Sequence, residues 1–186
     1  MNFMNHFEKP LIYGFSITGS DSEKYYILDG NEKKTFSKSA TDRCGKIYIF
    51  LQNNEVVYVG TTVRSISSRL RDSFTGYYKY KFIKSEDKKF QLVIYCLKQN
   101  HELALNSDGD IEANRLSKDN MSSETRIKQS LLIENIEAEL SLLVRNELGR
   151  WAKFQNEIHF NNFLLNGKEL AEEVYQNLKE ITKKTV

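Results

Sequence analysis

Five residues of this chain are of the types that hydrolysis of a phosphodiester bond uses. They are two tyrosines, an arginine, a glutamate and an asparagine: Tyr48, Tyr58, Arg69, Glu139 and Asn156. Such hydrolysis needs a group that activates water, positive charge that neutralises the transition state, and help for the leaving oxygen. The planar fork of an arginine bonds two phosphate oxygens at once. One carboxylate is enough to hold Mg²⁺, which keeps several waters and takes further ligands from a substrate phosphate.

The order and spacing of these residues resemble the signature of the GIY-YIG nucleases. In the stretch GKIYIFLQNNEVVYVGTTVRSISSRL, Tyr48 and Tyr58 stand ten positions apart and Arg69 follows them. Glu139 precedes an apolar pair three and four residues on, and Asn156 lies in KFQNEIHF. The resemblance covers roughly residues 44 to 160, in the family's order.

The resemblance implies a role for each residue. Tyr48 would be the general base or would orient the attacking water, and Tyr58 would bond near the phosphate or the metal-bound waters. Arg69 would contact the scissile phosphate. Glu139 would be the only protein ligand of one Mg²⁺, for which Mn²⁺ can substitute, and Asn156 would tie the glutamate helix to the sheet. The implied activity is metal-dependent hydrolysis of DNA by a stand-alone, restriction-type enzyme, or by one associated with defence or mobile elements.

Two positions depart from the family pattern. Lys46 stands where the first motif has glycine, and Ser73 stands four residues after the arginine, where many members carry histidine. A tyrosine is also an ordinary strand residue, so neither tyrosine alone indicates catalysis. Other residues compete for two of the roles: Arg64 and Arg71 with Arg69, and Glu134 and Glu137 with Glu139. Family spacing favours Arg69, and Glu139 falls at the edge of the apolar stripe of its helix.

The segment 64–89 is basic and aromatic, which suits contact with a phosphate backbone. It contains eight lysines and arginines, three acids and an interleaved group of tyrosines and a phenylalanine. The candidate nucleic-acid-binding residues are Arg64, Arg71, Lys79, Lys81 and Lys84. For any single lysine, a solvated position in a lysine-rich loop is an equally good interpretation.

Hydrophobic patterns predict the elements that must position these residues. The runs KIYIFLQ and EVVYVGTT, separated by two asparagines, predict an antiparallel hairpin. Ile66, Leu70 and Phe74 are spaced as on a short amphipathic helix, and FQLVIYCL predicts a third strand buried on both faces. A helical pattern runs from about Ser123 to a stop at Gly149.

These elements predict an α+β fold: a small antiparallel or mixed three-stranded sheet flanked by helices, with an N-terminal β extension. Residues 1–43 form the β-rich extension, as a hairpin or two strands. Residues 44–162 form the nuclease-like core, with a polar, irregular insertion at about 98–123. Residues 163–186 contain a last amphipathic helix.

Composition and apolar patterning bear on the partners and the cellular location of the protein. The 186 residues are 40% hydrophobic with a net charge of +2, which by itself predicts no nucleic-acid partner. No apolar run is long enough to span a bilayer and no signal-peptide pattern is present, so we expect a cytoplasmic protein without a membrane partner. Cys44 and Cys96 flank strand-like runs and are expected to be buried thiols.

Two hypotheses follow for function and partners. The first is an active endonuclease with DNA as its partner and a possible homodimer, because one active site cuts one strand. The alternative is a catalytically silent nucleic-acid-binding or protein-interaction module on the same fold. Retention of all five signature residues favours the enzyme.

Overall fold

The architecture is α+β and is built on one antiparallel sheet of six strands. A computed structural model describes residues 6–18, 24–29, 32–75, 89–98, 101–105, 111–115, 123–155, 158 and 167–184. The strands of the main sheet are β1 (Leu11–Thr18), β2 (Lys24–Asp29), β3 (Glu32–Lys34), β4 (Lys46–Gln52), β5 (Glu55–Thr62) and β6 (Lys89–Cys96). The helices are α1 (Lys38–Thr41), α2 (Ile66–Thr75), α3 (Ser123–Leu148) and α4 (Gly167–Lys184).

The strand order is β3-β2-β1-β6-β4-β5, and each neighbouring pair is antiparallel. The predicted α+β class is confirmed, but the predicted three-stranded sheet is wrong. The N-terminal β extension joins the sheet, because β1 pairs with β6 from Leu11 opposite Ile94 to Ser16 opposite Lys89. Strand β6 lies in the interior of the sheet, so the backbone hydrogen-bonding groups along both of its edges need partners. Strand β4 pairs with one edge and β1 with the other.

The predicted hairpin is β4–β5, and its turn is made by Asn53 and Asn54. Both have positive φ, 51° and 63°. A two-residue hairpin turn of this kind matches the twist of the flanking strands, and asparagine is one of the few residues that tolerate it. This turn sets the register of the two strands that carry the tyrosines.

The sheet buries a hydrophobic core on each face. On β4, Ile47 and Ile49 face α3 and α4, whereas Tyr48 and Phe50 face α1 and α2. This is the two-residue alternation of a strand. All four side chains are completely buried, so the sheet is covered on both sides at β4.

The predicted helices are present. Ile66 and Leu70 of α2 are buried, and α3 ends at Leu148 before Gly149, which has φ +66°. Helix α4 buries an apolar stripe consisting of Leu170, Val174 and Leu178.

The predicted irregular insertion contains a hairpin. Its strands are β7 (His101–Leu105) and β8 (Ile111–Arg115), which form a separate two-stranded sheet. Its polar composition does not show the strict alternation that would have indicated strands. Cys44 and Cys96 are free and buried, as predicted. Among the helices of the described residues, none is long and apolar enough to cross a membrane.

Candidate active site

Tyr48 and Tyr58 lie together over the backbone of Gly60. Gly60 is the strand partner of Tyr48, and Tyr58 is the strand partner of Phe50. The two tyrosine ring centroids are 6.1 Å apart. A Cβ at position 60 would lie 2.6 Å from Cζ of Tyr48 and 2.7 Å from Cε1 of Tyr58, which is closer than van der Waals contact allows. Residue 60 is therefore restricted to glycine by the rings that cross it.

A β-bulge at Val57 brings Tyr58 to the same face as Tyr48. Leu51 pairs with Val56, but Phe50 pairs with Tyr58, so Val57 is an extra residue in β5. In a regular ladder Tyr58 would lie opposite Ile49, on the face covered by α3. Because a shift of one residue reverses the direction of every side chain, the bulge is what unites the two tyrosines.

Arg69 contacts Tyr48 from helix α2. Ser65 begins the helix: its Oγ accepts from the N–H of Ser68 at 3.3 Å, and its carbonyl accepts from the N–H of Arg69 at 3.1 Å. One turn into the helix, Nε of Arg69 donates to the hydroxyl oxygen of Tyr48 at 3.2 Å. The hydroxyl is covered, since Tyr48 has an exposed fraction of 0%.

The other candidate arginines of α2 and its approach face solvent. Arg64 forms an ion pair of 2.6 Å with Asp72, and both side chains are about half exposed. Arg71 is exposed. The structure thus places Arg69 in the tyrosine cluster and leaves Arg64 and Arg71 at the surface.

Glu137 completes the cluster from helix α3. Its Oε2 accepts a hydrogen bond of 2.6 Å from Oγ1 of Thr61, the residue after Gly60. Burial raises the pKa of Glu137 to about 7, while the hydrogen bond from Thr61 and the positive charge of Arg69 oppose the rise. The negative charge of Glu134 adds to it. Thr61 and Glu137 thus lie on the α3 face of the sheet, and Arg69, which contacts Tyr48 on the other face, is near enough for its charge to act on Glu137.

Glu139 does not belong to this cluster. Two residues of an α-helix turn through about 200°, so Glu139 projects almost opposite to Glu137. Asn135, one turn before Glu139, faces α4: a Cβ on Gly167 would fall 1.6 Å from its Oδ1. Glu134 is exposed, and its carboxylate accepts from Ser130 at 3.0 Å. Among the three competing glutamates, the geometry singles out Glu137.

Gln155 ties the segment after α3 to the edge of β5. Its Oε1 accepts from the backbone N–H of Val59 at 2.9 Å, and the N–H of Phe154 donates to the carbonyl of Val57 at 2.9 Å. Asn156, for which the sequence predicts such a role, lies outside the described residues, as do Lys79, Lys81 and Lys84. The amide of Gln155 was not anticipated, since nothing in its spacing distinguishes it.

The oxygen donors of this cluster fit a hard divalent cation. The Glu137 carboxylate is mostly buried and its pKa is raised. The Thr61 hydroxyl and the Arg69 charge therefore compensate its negative charge only in part. The Thr61 hydroxyl bonds and orients one of the two carboxylate oxygens, Oε2. Among the described residues no group of three or more His, Cys, Asp and Glu gathers. A single carboxylate is the kind of protein ligand that suits Mg²⁺, which keeps waters and takes substrate oxygens.

Comparisons with protein-family models, with curated proteins and with solved structures found no match to this chain.

Proposed function

We propose that this chain is a metal-dependent endonuclease of the GIY-YIG type that hydrolyses DNA phosphodiester bonds. The observation that carries the proposal is that a guanidinium contacts a tyrosine hydroxyl and that its charge also acts on a buried carboxylate, the three groups coming from three different elements. Tyr48 comes from β4, Arg69 from α2 and Glu137 from α3. These are the residue types that the signature in the sequence associates with phosphodiester hydrolysis.

In the proposed mechanism, Arg69 binds the scissile phosphate and stabilises the charge that develops on it. Tyr48 either accepts the proton of the attacking water or orients that water. The Arg69 guanidinium donates to the Tyr48 oxygen and stabilises negative charge on it. The rings of Tyr58 and Tyr48 keep the hydroxyl in place over Gly60. Glu137 would hold Mg²⁺ or Mn²⁺, which would supply charge neutralisation and stabilisation of the leaving oxygen.

Glu137, in place of Glu139, holds the metal in this proposal. It shares the cluster with Arg69 and Thr61, whereas Glu139 projects to the far side of the helix. Arg64 and Arg71 lie on the surface around α2 and are suited to contact flanking phosphates. The corresponding assignments of Lys79, Lys81 and Lys84 rest on the sequence alone, as do the restriction-type role and the homodimer.

One observation favours the alternative, a catalytically silent module. Tyr48 is completely buried, so water reaches its hydroxyl only when a side chain that covers it moves. In the nuclease proposal, that side chain is Arg69, which a phosphate draws away from the tyrosine. In a silent module, Arg69 and Tyr48 stay bonded and serve only to hold α2 against the sheet.

The deciding experiment is cleavage of supercoiled plasmid and phage DNA by the purified chain with Mg²⁺ or Mn²⁺. Glu137→Ala and Glu139→Ala form a matched pair on one helix. Discrete or smeared cleavage that Glu137→Ala abolishes and Glu139→Ala retains supports the proposal. If Glu139→Ala abolishes cleavage and Glu137→Ala does not, the metal ligand is Glu139. No cleavage by wild type, with a DNA gel shift intact, favours the silent module.

A further inference from the structure

Lys46 carries a positive charge in the protein interior. Its exposed fraction is 0%, and its Nζ donates to three main-chain carbonyl oxygens. They belong to Asp42 at 2.5 Å, Cys44 at 2.9 Å and Arg64 at 3.2 Å. A lysine ammonium has three N–H donors and no acceptor. Three carbonyl oxygens therefore match the charged form completely, which is what a buried charge requires.

The three carbonyls come from two separate segments. Asp42 and Cys44 precede β4, whereas Arg64 belongs to the turn between β5 and α2. That turn has a second restraint, since the N–H of Arg64 donates to Oγ1 of Thr62 at 3.0 Å. Thr62 is the strand partner of Lys46, so the two side chains approach the turn from the same face. The lysine thereby joins the start of β4 to the approach of α2.

We propose that Lys46 is a positioning residue that sets the contact between Tyr48 and Arg69. It lies two residues before Tyr48 on the same face of β4, and it holds the carbonyl of Arg64, five residues before Arg69. A glycine, which the first motif of the family has at this position, makes none of these bonds. The consequence for catalysis rests on the proposed function, but the consequence for the Tyr48–Arg69 contact does not.

The first test needs no enzyme activity. In ¹H–¹⁵N spectra of the wild-type chain, Lys46 should give an ammonium signal that is protected from solvent exchange at neutral pH. The Nε–H of Arg69, assigned with Arg69→Lys, should also be protected because it bonds Tyr48. Absence of a protected lysine ammonium overturns the proposal.

The second test compares Lys46→Met with Leu178→Ala. Methionine keeps the apolar length of lysine and removes the ammonium, whereas Leu178 is a buried residue of α4, far from the turn. We expect Lys46→Met to lose the Arg69 Nε–H protection and to lower kcat at least tenfold, with KM for DNA within about twofold. Leu178→Ala should lower the melting temperature without either change. A folded Lys46→Met with unchanged Arg69 protection overturns the proposal.

Two further outcomes need separate treatment: a variant that does not fold, and a wild-type chain that does not cleave DNA. If Lys46→Met does not fold, Lys46→Leu, a smaller side chain that also has no N–H donor, is measured for the same Arg69 protection, and full protection in it overturns the proposal. If the wild type cleaves no DNA, the nuclease proposal fails, and the exchange measurements alone decide the positioning role. Loss of protection with a normal kcat would overturn the catalytic consequence only.

Discussion

The hydroxyl of Thr61 donates a 2.6 Å hydrogen bond to the carboxylate of Glu137 and so links the edge strand β5 to helix α3. Thr61 directly follows Gly60, over which both tyrosine rings lie. One short stretch of β5 therefore fixes the tyrosines on one face of the sheet and the carboxylate on the other.

Removal of that hydroxyl should weaken metal use. Thr61→Val keeps the shape of the side chain but leaves the Glu137 carboxylate without its orienting donor. A lost partner of a metal ligand typically costs about 10- to 100-fold in affinity or activity, and we expect a loss in that range for Mg²⁺-dependent cleavage. Thr61→Ser keeps the donor and should stay near wild type. Equal activity of the valine and serine variants would contradict the role of the bond.

Replacement of Glu137 by glutamine should stabilise the protein above neutral pH. The folded-state pKa of Glu137 is about 7, above its ordinary value of 4.5. Between these values the unfolded chain loses a proton that the folded chain keeps, so stability falls as pH rises through this window and levels off above pH 7. We expect Glu137→Gln to gain about 1 to 3 kcal/mol at pH 8.

The matching control for that experiment is the same comparison at pH 4, where wild-type Glu137 is protonated in the folded chain and mostly protonated in the unfolded chain, so that nearly all of the gain should disappear. Urea unfolding at the two pH values, without metal, measures it. A glutamine variant that is less stable than wild type at pH 8 would show that the carboxylate is satisfied within the fold.

Gly60→Ala should displace the tyrosine rings. The added Cβ would meet Cζ of Tyr48 at 2.6 Å, and overpacking of this kind typically costs about 1 to 3 kcal/mol. Near-ultraviolet circular dichroism should change with it, because Tyr48 and Tyr58 are both repacked. Gly149→Ala is the control, since that site has open space and only the strain of its positive φ. The same tyrosine signal in both variants would refute the close contact.

Gln155→Leu should loosen the edge of β5. The variant leaves the N–H of Val59 without its acceptor, which typically costs about 1 to 3 kcal/mol when the group is buried. Hydrogen exchange at the Val59 amide should accelerate. Gln176→Leu, on the exposed face of α4, should leave that amide unchanged. Slow exchange at Val59 in the Gln155 variant would mean that another group covers this edge.

The sequence predicted the parts of the fold that local patterns determine. The hairpin with its asparagine turn and the helices around Leu70 and Leu178 follow from periodicity and turn chemistry within short windows. The pairing of β1 with β6 was missed because no local sequence pattern indicates which distant strand pairs with a given strand. The bulge at Val57 was missed because Val56 and Val57 are both apolar, so the sequence does not indicate which of them is the extra residue.

The candidate site was predicted in part. The tyrosines and Arg69 were selected by the resemblance to the family's motif spacing, and the structure brings Arg69 into contact with Tyr48. The choice of Glu139 over Glu137 rested on the family resemblance, through the apolar pair three and four residues on, and on the position of Glu139 at the edge of an apolar stripe. Helix α3 packs against the sheet and against α4, so it is apolar on two sides and its periodicity does not select one glutamate.

The pairing of β1 with β6 has a consequence for the order in which the chain folds. Leu11 meets Ile94, more than 80 positions later, so the first strands emerge from the ribosome long before their partner exists. During synthesis, the edge of β1 that will bind β6 remains open, and closing so large a loop is slow. The tyrosine hairpin, which closes through a two-residue turn, forms on a much faster timescale. Its assembly into the sheet then waits for β6, so the strand that completes the scaffold also limits how soon the cluster appears.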